Sequence, residues 1–191
     1  MKVAIIHDWL VTNAGAEKVL KEIITLYPNA DIYSLVNFLN KDEKKDILDN
    51  KNVRTSFIQK LPFSRKTFRN YLPHFIKAIE SFDLSEYDLI ISSSWAVAKG
   101  IKKNDMQLHI CYCHTPIRYA WDLYDEYTSN LRGLKKILVK RALKKLRKWD
   151  LSTVNRVDYF IANSKFVSER IQRTYGREST VIYPPVNTDK F

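Results

Sequence analysis

Two rhythms of apolar and polar residues run along this chain. Short, nearly unbroken apolar runs recur at residues 2–6 (KVAII), 31–36 (DIYSLV), 87–94 (YDLIISSS), 106–113 (MQLHICYC), 157–164 (VDYFIANS) and 179–186 (STVIYPPV). Their length and β-branched content predict buried strands. Between them the spacing turns helical. In 16–27, Val19, Leu20, Ile23, Ile24 and Tyr27 mark one helical face, and Pro28 follows. Residues 41–50 are polar and read as a surface helix or loop. Residues 54–59 (RTSFIQ) are ambiguous, and 65–82 predict helical turns broken at Pro73. A short helix is expected over 96–101 and a long one from about Leu131 to Asn155. A further helix over 165–175 is capped by Ser164 and closed by Gly176. No internal repeat or low-complexity segment interrupts the pattern.

Strands that alternate with helices and are apolar on both sides belong in a parallel sheet covered on two faces. The expected class is therefore α/β, a Rossmann-like doubly wound parallel sheet. Ligands of such sheets sit beyond the carboxyl ends of the strands, where strand order reverses. Three strand ends carry polar clusters: His7-Asp8, Ser92-Ser93-Ser94 and Cys113-His114-Thr115.

The 191 residues suit about one domain. No apolar run reaches the roughly 18 residues of a spanning helix, and the N-terminus reads as a first strand, not a signal peptide. Glycine occurs only four times, too sparsely for either a dinucleotide fingerprint or a phosphate-binding P-loop. The two cysteines, Cys111 and Cys113, do not make a disulfide framework and suit a reducing compartment. Charge is lopsided. Residues 1–95 carry 13 Lys and Arg against 12 Asp and Glu, whereas residues 96–191 carry 19 against 9. The second half therefore expects an anionic partner.

Each candidate has a functional and a structural reading. His114, at a strand end, either meets a ligand or bonds its own loop. Asn13-Ala14-Gly15-Ala16 either offers backbone N–H groups to an anion or is an ordinary turn of small residues. Glu17, one residue on, suits the helix dipole but opposes a phosphate very close by. His109, Cys111 and Cys113 share one side of a strand without a second ligand pair, which favours buried thiols over a metal, so no metal is expected. The helix after Leu131 holds nine Lys and Arg and no acid up to Trp149. At 100° per residue Leu131, Leu134, Leu138, Ala142, Leu146 and Trp149 form an apolar face for the sheet. Lys140, Arg141, Lys144, Arg147 and Lys148 lie broadly opposite, as a solvated face or, through Lys140, Lys144 and Lys148, a face for anionic lipid. Without aromatic interleaving or a nucleic-acid module, no nucleic-acid partner is expected.

The order KVAIIHDWL…NAGAEKV, CYCHTPIRYAWD, LRKWD…FIANSKFVSERIQRTYGRESTVIYPPVNTDKF resembles the N-terminal half of a family 4 glycosyltransferase, of the bacterial mannosyltransferase-like kind. The resemblance implies one half of a two-domain GT-B fold: a Rossmann-like domain over 1–178, then a last strand and interdomain linker over 179–191, with the donor domain beyond. It implies a retaining transfer from a nucleotide sugar to a lipid-linked or cell-surface glycan acceptor, with no metal or cofactor. Gly15 matches the second glycine of the loop that touches the donor diphosphate, and Ala14 stands where the first usually is. His114 matches a histidine that contacts the donor sugar near the reacting carbon. Arg118, Tyr119, Trp121 and Asp122 fall on the acceptor side. Asp8 is the nearest carboxylate for an acceptor hydroxyl, with loop capping as its alternative, and Ser94 joins it there. The expectation is a domain inactive alone, cytoplasmic and peripheral on the inner face of the membrane. One alternative is a non-catalytic membrane- or partner-binding module of the same fold; another is one chain of a split transferase.

Overall fold

A computed structural model describes residues 1–129 and 131–186, apart from the Lys135 side chain. Residues 187–191, the end of the expected linker, lie outside the described residues. The strands are β1 (Val3–His7), β2 (Asp31–Ser34), β3 (Val53–Thr55), β4 (Leu89–Ser94), β5 (Leu108–Cys113), β6 (Tyr159–Ala162) and β7 (Thr180–Val181). The α-helices are α1 (Gly15–Leu26), α2 (Lys41–Leu48), α3 (Ser64–Thr67), α4 (Phe75–Ile79), α5 (Tyr124–Ser129), α6 (Gly133–Ser152) and α7 (Lys165–Tyr175).

All seven strands pair in parallel, in the order β3-β2-β1-β4-β5-β6-β7. The chain winds from β1 outward to β3, then returns to β4 beside β1 and winds the other way. The switch point thus lies between β1 and β4, and their register sets His7 beside Ser93. The two faces of β1 divide the core. Val3 and Ile5 pack with Leu20 and Ile24 of α1 and Leu48 of α2. Ala4 and Ile6 pack with Phe75 and Ala78 of α4 and Leu146 of α6. Cys111 and Cys113 are buried thiols against Val167 and Ile171 of α7.

Three expectations shift. Residues 54–59 divide into the end of β3 and a 3-10 turn at Phe57–Lys60, and residues 96–101 form only a 3-10 turn at Ala98–Gly100. The apolar face assigned to the long helix is rotated: Leu143, Leu146 and Asp150 are buried, while Leu134 and Leu138 are 70% and 56% exposed. The cause is Asp150. Its carboxylate sits 2.8 Å from the Lys99 ammonium and accepts from Trp121 Nε1 and the Tyr175 hydroxyl. A buried acid with this many partners turns its helix face inward, and a hydropathy pattern assigns acids outward.

Candidate functional site

The site begins with the loop after β4. The Asp8 carboxylate is fully buried and accepts four backbone N–H groups: Trp95 (2.6 Å) and Ala96 (2.7 Å) on Oδ2, Val97 (2.6 Å) and Ala98 (2.7 Å) on Oδ1. Both oxygens are committed, so Asp8 does not face an acceptor; this corrects the acceptor role expected of it. Ser94 is buried, with its Oγ accepting from the Lys99 N–H. What Asp8 does is shape the chain at the switch point and set Trp95. The Trp95 indole meets the rings of His7, Trp9 and His114 edge-on, at 4.9, 5.2 and 5.6 Å between centroids.

Beside this loop lies a row of polar side chains from four elements. His7 Nδ1 is 3.0 Å from Ser93 Oγ, and the same Oγ is 2.9 Å from His114 Nε2. On the far side of His7, Nε2 faces Glu17 Oε1 at 3.7 Å, too far for a hydrogen bond. Glu17 Oε2 accepts from the Ala14 N–H at 3.1 Å. Burial alone would raise the Glu17 carboxyl, but the His7 imidazole and the Ala14 N–H outweigh it and hold it below its ordinary value. Being only 3% exposed, Glu17 turns its charge inward. Burial holds His114 down to about 3, with His7 adding and Glu17 opposing, so this half-buried imidazole is neutral at physiological pH.

Ala14 and Gly15 are exposed at the start of α1. Ala14 is extended (φ −127°, ψ −164°), a conformation open to any L-residue, so replacing glycine there strains nothing. A Cβ on Gly15 would meet no atom within 4 Å.

On the other side of Trp95 a cavity of about 430 Å³ opens between the strand ends, α4, α5 and α6. Trp9, Trp95, Tyr119 and Tyr127 line it with apolar surface, and Arg69 and Arg118 bring positive charge. Of the four residues expected on the acceptor side, Arg118 and Tyr119 reach this cavity. Trp121 and Asp122 are not among the residues that line it. Trp121 donates its indole N–H to Asp150 and lies under the Arg147 guanidinium, and Asp122 is ion-paired with Arg170. The local sequence signals neither, because both partners are distant in the chain. Sequence reasoning also left out Trp9, Trp95 and Arg69 as lining residues, and Ser93 as the link between two histidines; the register of β1 on β4 brings Trp9, Ser93 and Trp95 together, and Arg69 comes from the 3-10 segment Phe68–His74.

Among the described residues no three His, Cys, Asp or Glu side chains gather as metal ligands. His109, held down to about 4 by burial, bonds Ser92 Oγ and the Arg156 carbonyl instead. Lys140, Lys144 and Lys148 are exposed on α6. Arg147, expected on that basic side, turns in and donates to the Ala120 carbonyl at 2.8 Å.

The Glycosyltransferase Family 4 model matches residues 14–190 of this chain. No curated protein matches it. Among solved structures, Anabaena Alr3699/HepE in complex with UDP is similar, with TM-score 0.55 and 16% identity over 99% of this chain and 45% of that one. The same protein with UDP and glucose gives 0.55 and 16%, over 99% and 46%. With UDP-glucose it gives 0.54 and 17%, over 99% and 45%. At such identity the likeness is one of fold, and this chain spans less than half the length of those structures.

Proposed function

This chain belongs to glycosyltransferase family 4, and on that premise we propose that it is the acceptor-side domain of a retaining transferase, one half of a GT-B fold, using a nucleotide-sugar donor and a lipid-linked glycan acceptor. The observation that carries the reading is the cavity at the switch point. Its aromatic walls suit a sugar ring or an isoprenoid segment, and Arg69 and Arg118 suit the phosphates of a lipid carrier. Nucleotide-sugar chemistry is supported by the HepE complexes with UDP and UDP-glucose. In this reading the Ala14-Gly15 loop offers N–H groups to the donor diphosphate, the uncrowded Gly15 allowing close approach. His114 orients the transferred sugar from the cleft edge. The work of the domain is positioning and the stabilisation of charge on the departing phosphate, with no metal required.

The same reading puts the domain at a membrane surface. The outward side of α6 carries Lys140, Lys144 and Lys148 together with Leu134, Ile137 and Leu138, the last three 70%, 49% and 56% exposed. Cations beside exposed apolar side chains suit an anionic bilayer from its surface. No described helix is long and apolar enough to cross a membrane. This surface also favours the second reading, a membrane-binding module without catalysis.

The 191-residue chain is incubated with a panel of nucleotide sugars and polyprenyl-diphosphate-linked acceptors, alone and fused to the donor half of a family 4 enzyme. Turnover only in the fusion supports the reading. Turnover by the chain alone contradicts the division of labour, and membrane binding with no turnover in either form favours the second reading.

A further inference from the structure

The cavity at the switch point adjoins a second hollow, a groove of about 500 Å³ between the 3-10 segment Phe68–His74 and α6. Leu72 and Pro73 form one side of it. Leu134, Leu138, Val139 and Ala142 form the other, and Asn70 is its one uncharged polar residue. Arg69, Leu72 and Val139 line both hollows, so the groove continues the cavity, and no acid lines either. Leu134, Leu138 and Ala142 stand four apart and so lie one above another along α6, a track of about 12 Å. Burial falls along this track. Val139 and Ala142 are half-buried, whereas Leu138 and Leu134 are exposed. The groove thus leads from the cavity out to the apolar and basic side of α6.

We propose that this groove holds the lipid tail of a diphosphate-linked acceptor, with Arg69 at the junction where the diphosphate meets the tail. The proposal rests on the acceptor reading of the cavity and adds where the lipid goes. A cavity of about 430 Å³ takes a ligand of ordinary small-molecule size, so a long lipid whose head sits there must leave it. The chemistry changes along the two hollows in the order that such a ligand needs. Aromatic walls come first, then a guanidinium, then aliphatic side chains that end at the exposed leucines. The Arg69 guanidinium lies 4.7 Å from the Phe68 ring centre, and no carboxylate among the described residues pairs with it. Its planar fork suits phosphate oxygens. A peptide in the groove would need partners for its backbone, and helical walls of mostly apolar side chains offer few; a hydrocarbon needs none.

The test is NMR titration of the ¹⁵N-labelled chain, without vesicles, with two probes: inorganic diphosphate, and farnesyl diphosphate below the concentration at which it forms micelles. Farnesyl diphosphate should bind the wild type at least about tenfold more tightly, since burying even a few methylene groups is worth that much. Leu134→Gln combined with Leu138→Gln should bring the two probes close to parity. Both leucines are exposed, so the variant should fold, and unchanged indole signals check that it does. Arg69→Met should weaken both probes by about tenfold, the worth of a charge-assisted bond. Equal affinity of the two probes for the wild type overturns the proposal. So does a preference for farnesyl diphosphate that survives the double substitution, which would keep the tail within the cavity. Self-association through Leu134 and Leu138 with no preference between the probes would give the groove to a second copy of the chain. No sugar transfer enters these readouts, so the groove can fail while the transferase reading stands, and the reverse.

Discussion

At the switch point between β1 and β4 charged and polar groups are buried and geometrically committed. Asp8 holds four backbone N–H groups, and Ser93 bridges two imidazoles. Along the outward side of α6, Lys140, Lys144 and Lys148 stand exposed with no ion-pair partner among the described residues. In the proposed reading the first region acts by position, so one atom misplaced changes it, and the second acts by sum, so single changes matter little and the total decides. A site for directed chemistry and a surface for a diffuse partner are therefore told apart by what each charge touches, more than by how many charges there are.

The comparison breaks most sharply at Asp8. Asp8→Ala leaves four N–H groups without acceptors, three of them on buried residues, at about 1–3 kcal/mol for each buried group. A loss of more than about 4 kcal/mol is expected in denaturant titration, and a loss below about 1 kcal/mol would show that the loop finds other partners. Lys99→Met comes next. It leaves Asp150 buried without its cation, for an expected loss of about 3–4 kcal/mol, moderated because Trp121 and Tyr175 still bond the carboxylate. Gly100→Ala follows, at about 1–3 kcal/mol, since a Cβ there would lie 2.2 Å from the Trp149 ring, which Glu80 anchors through the indole N–H.

His114→Ala separates function from folding. Ser93 keeps its bond to His7, so the stability loss should be about 1 kcal/mol, while kcat of the fused transferase should fall markedly. Retained activity with collapsed thermal stability would make the histidine structural. The mildest change to the fold is expected on α6. Reversing Lys140, Lys144 and Lys148 to Glu should shift stability by under about 0.5 kcal/mol per site. It should nonetheless abolish binding to anionic vesicles, because each cation near such a surface contributes about 1 kcal/mol. Vesicle flotation checks this, with salt expected to release the wild type. Equal binding to neutral vesicles would assign the attachment to Leu134, Ile137 and Leu138 alone.

Much of the fold was legible because the strands announce themselves. VAII and LII are apolar on both faces, as suits a doubly covered parallel sheet, and both strands are buried along their whole length. The polar strand ends pointed to the edge of the sheet where the cavity opens. What the pattern did not reveal was which of those groups were already occupied. Asp8 and His7 are adjacent in sequence, yet one is consumed by residues 95–98 and the other begins a row to the cleft. That difference depends on partners about 85 residues away. The orientation of α6 was hidden for the same reason: Asp150 looks like a surface acid until Lys99 arrives from the loop after β4.

In the proposed reading the cavity beside His114 takes the acceptor, and the four tryptophans report on it directly. Trp9 and Trp95 line the cavity, whereas Trp121 and Trp149 hold their indole N–H groups on Asp150 and Glu80. Titrating the ¹⁵N-labelled chain with a polyprenyl-diphosphate-linked sugar in micelles should move the Trp9 and Trp95 indole signals. Those of Trp121 and Trp149 should stay in place, and empty micelles should move none. Unmoved Trp9 and Trp95 signals at saturating acceptor, or shifts confined to Trp121 and Trp149, would contradict the claim.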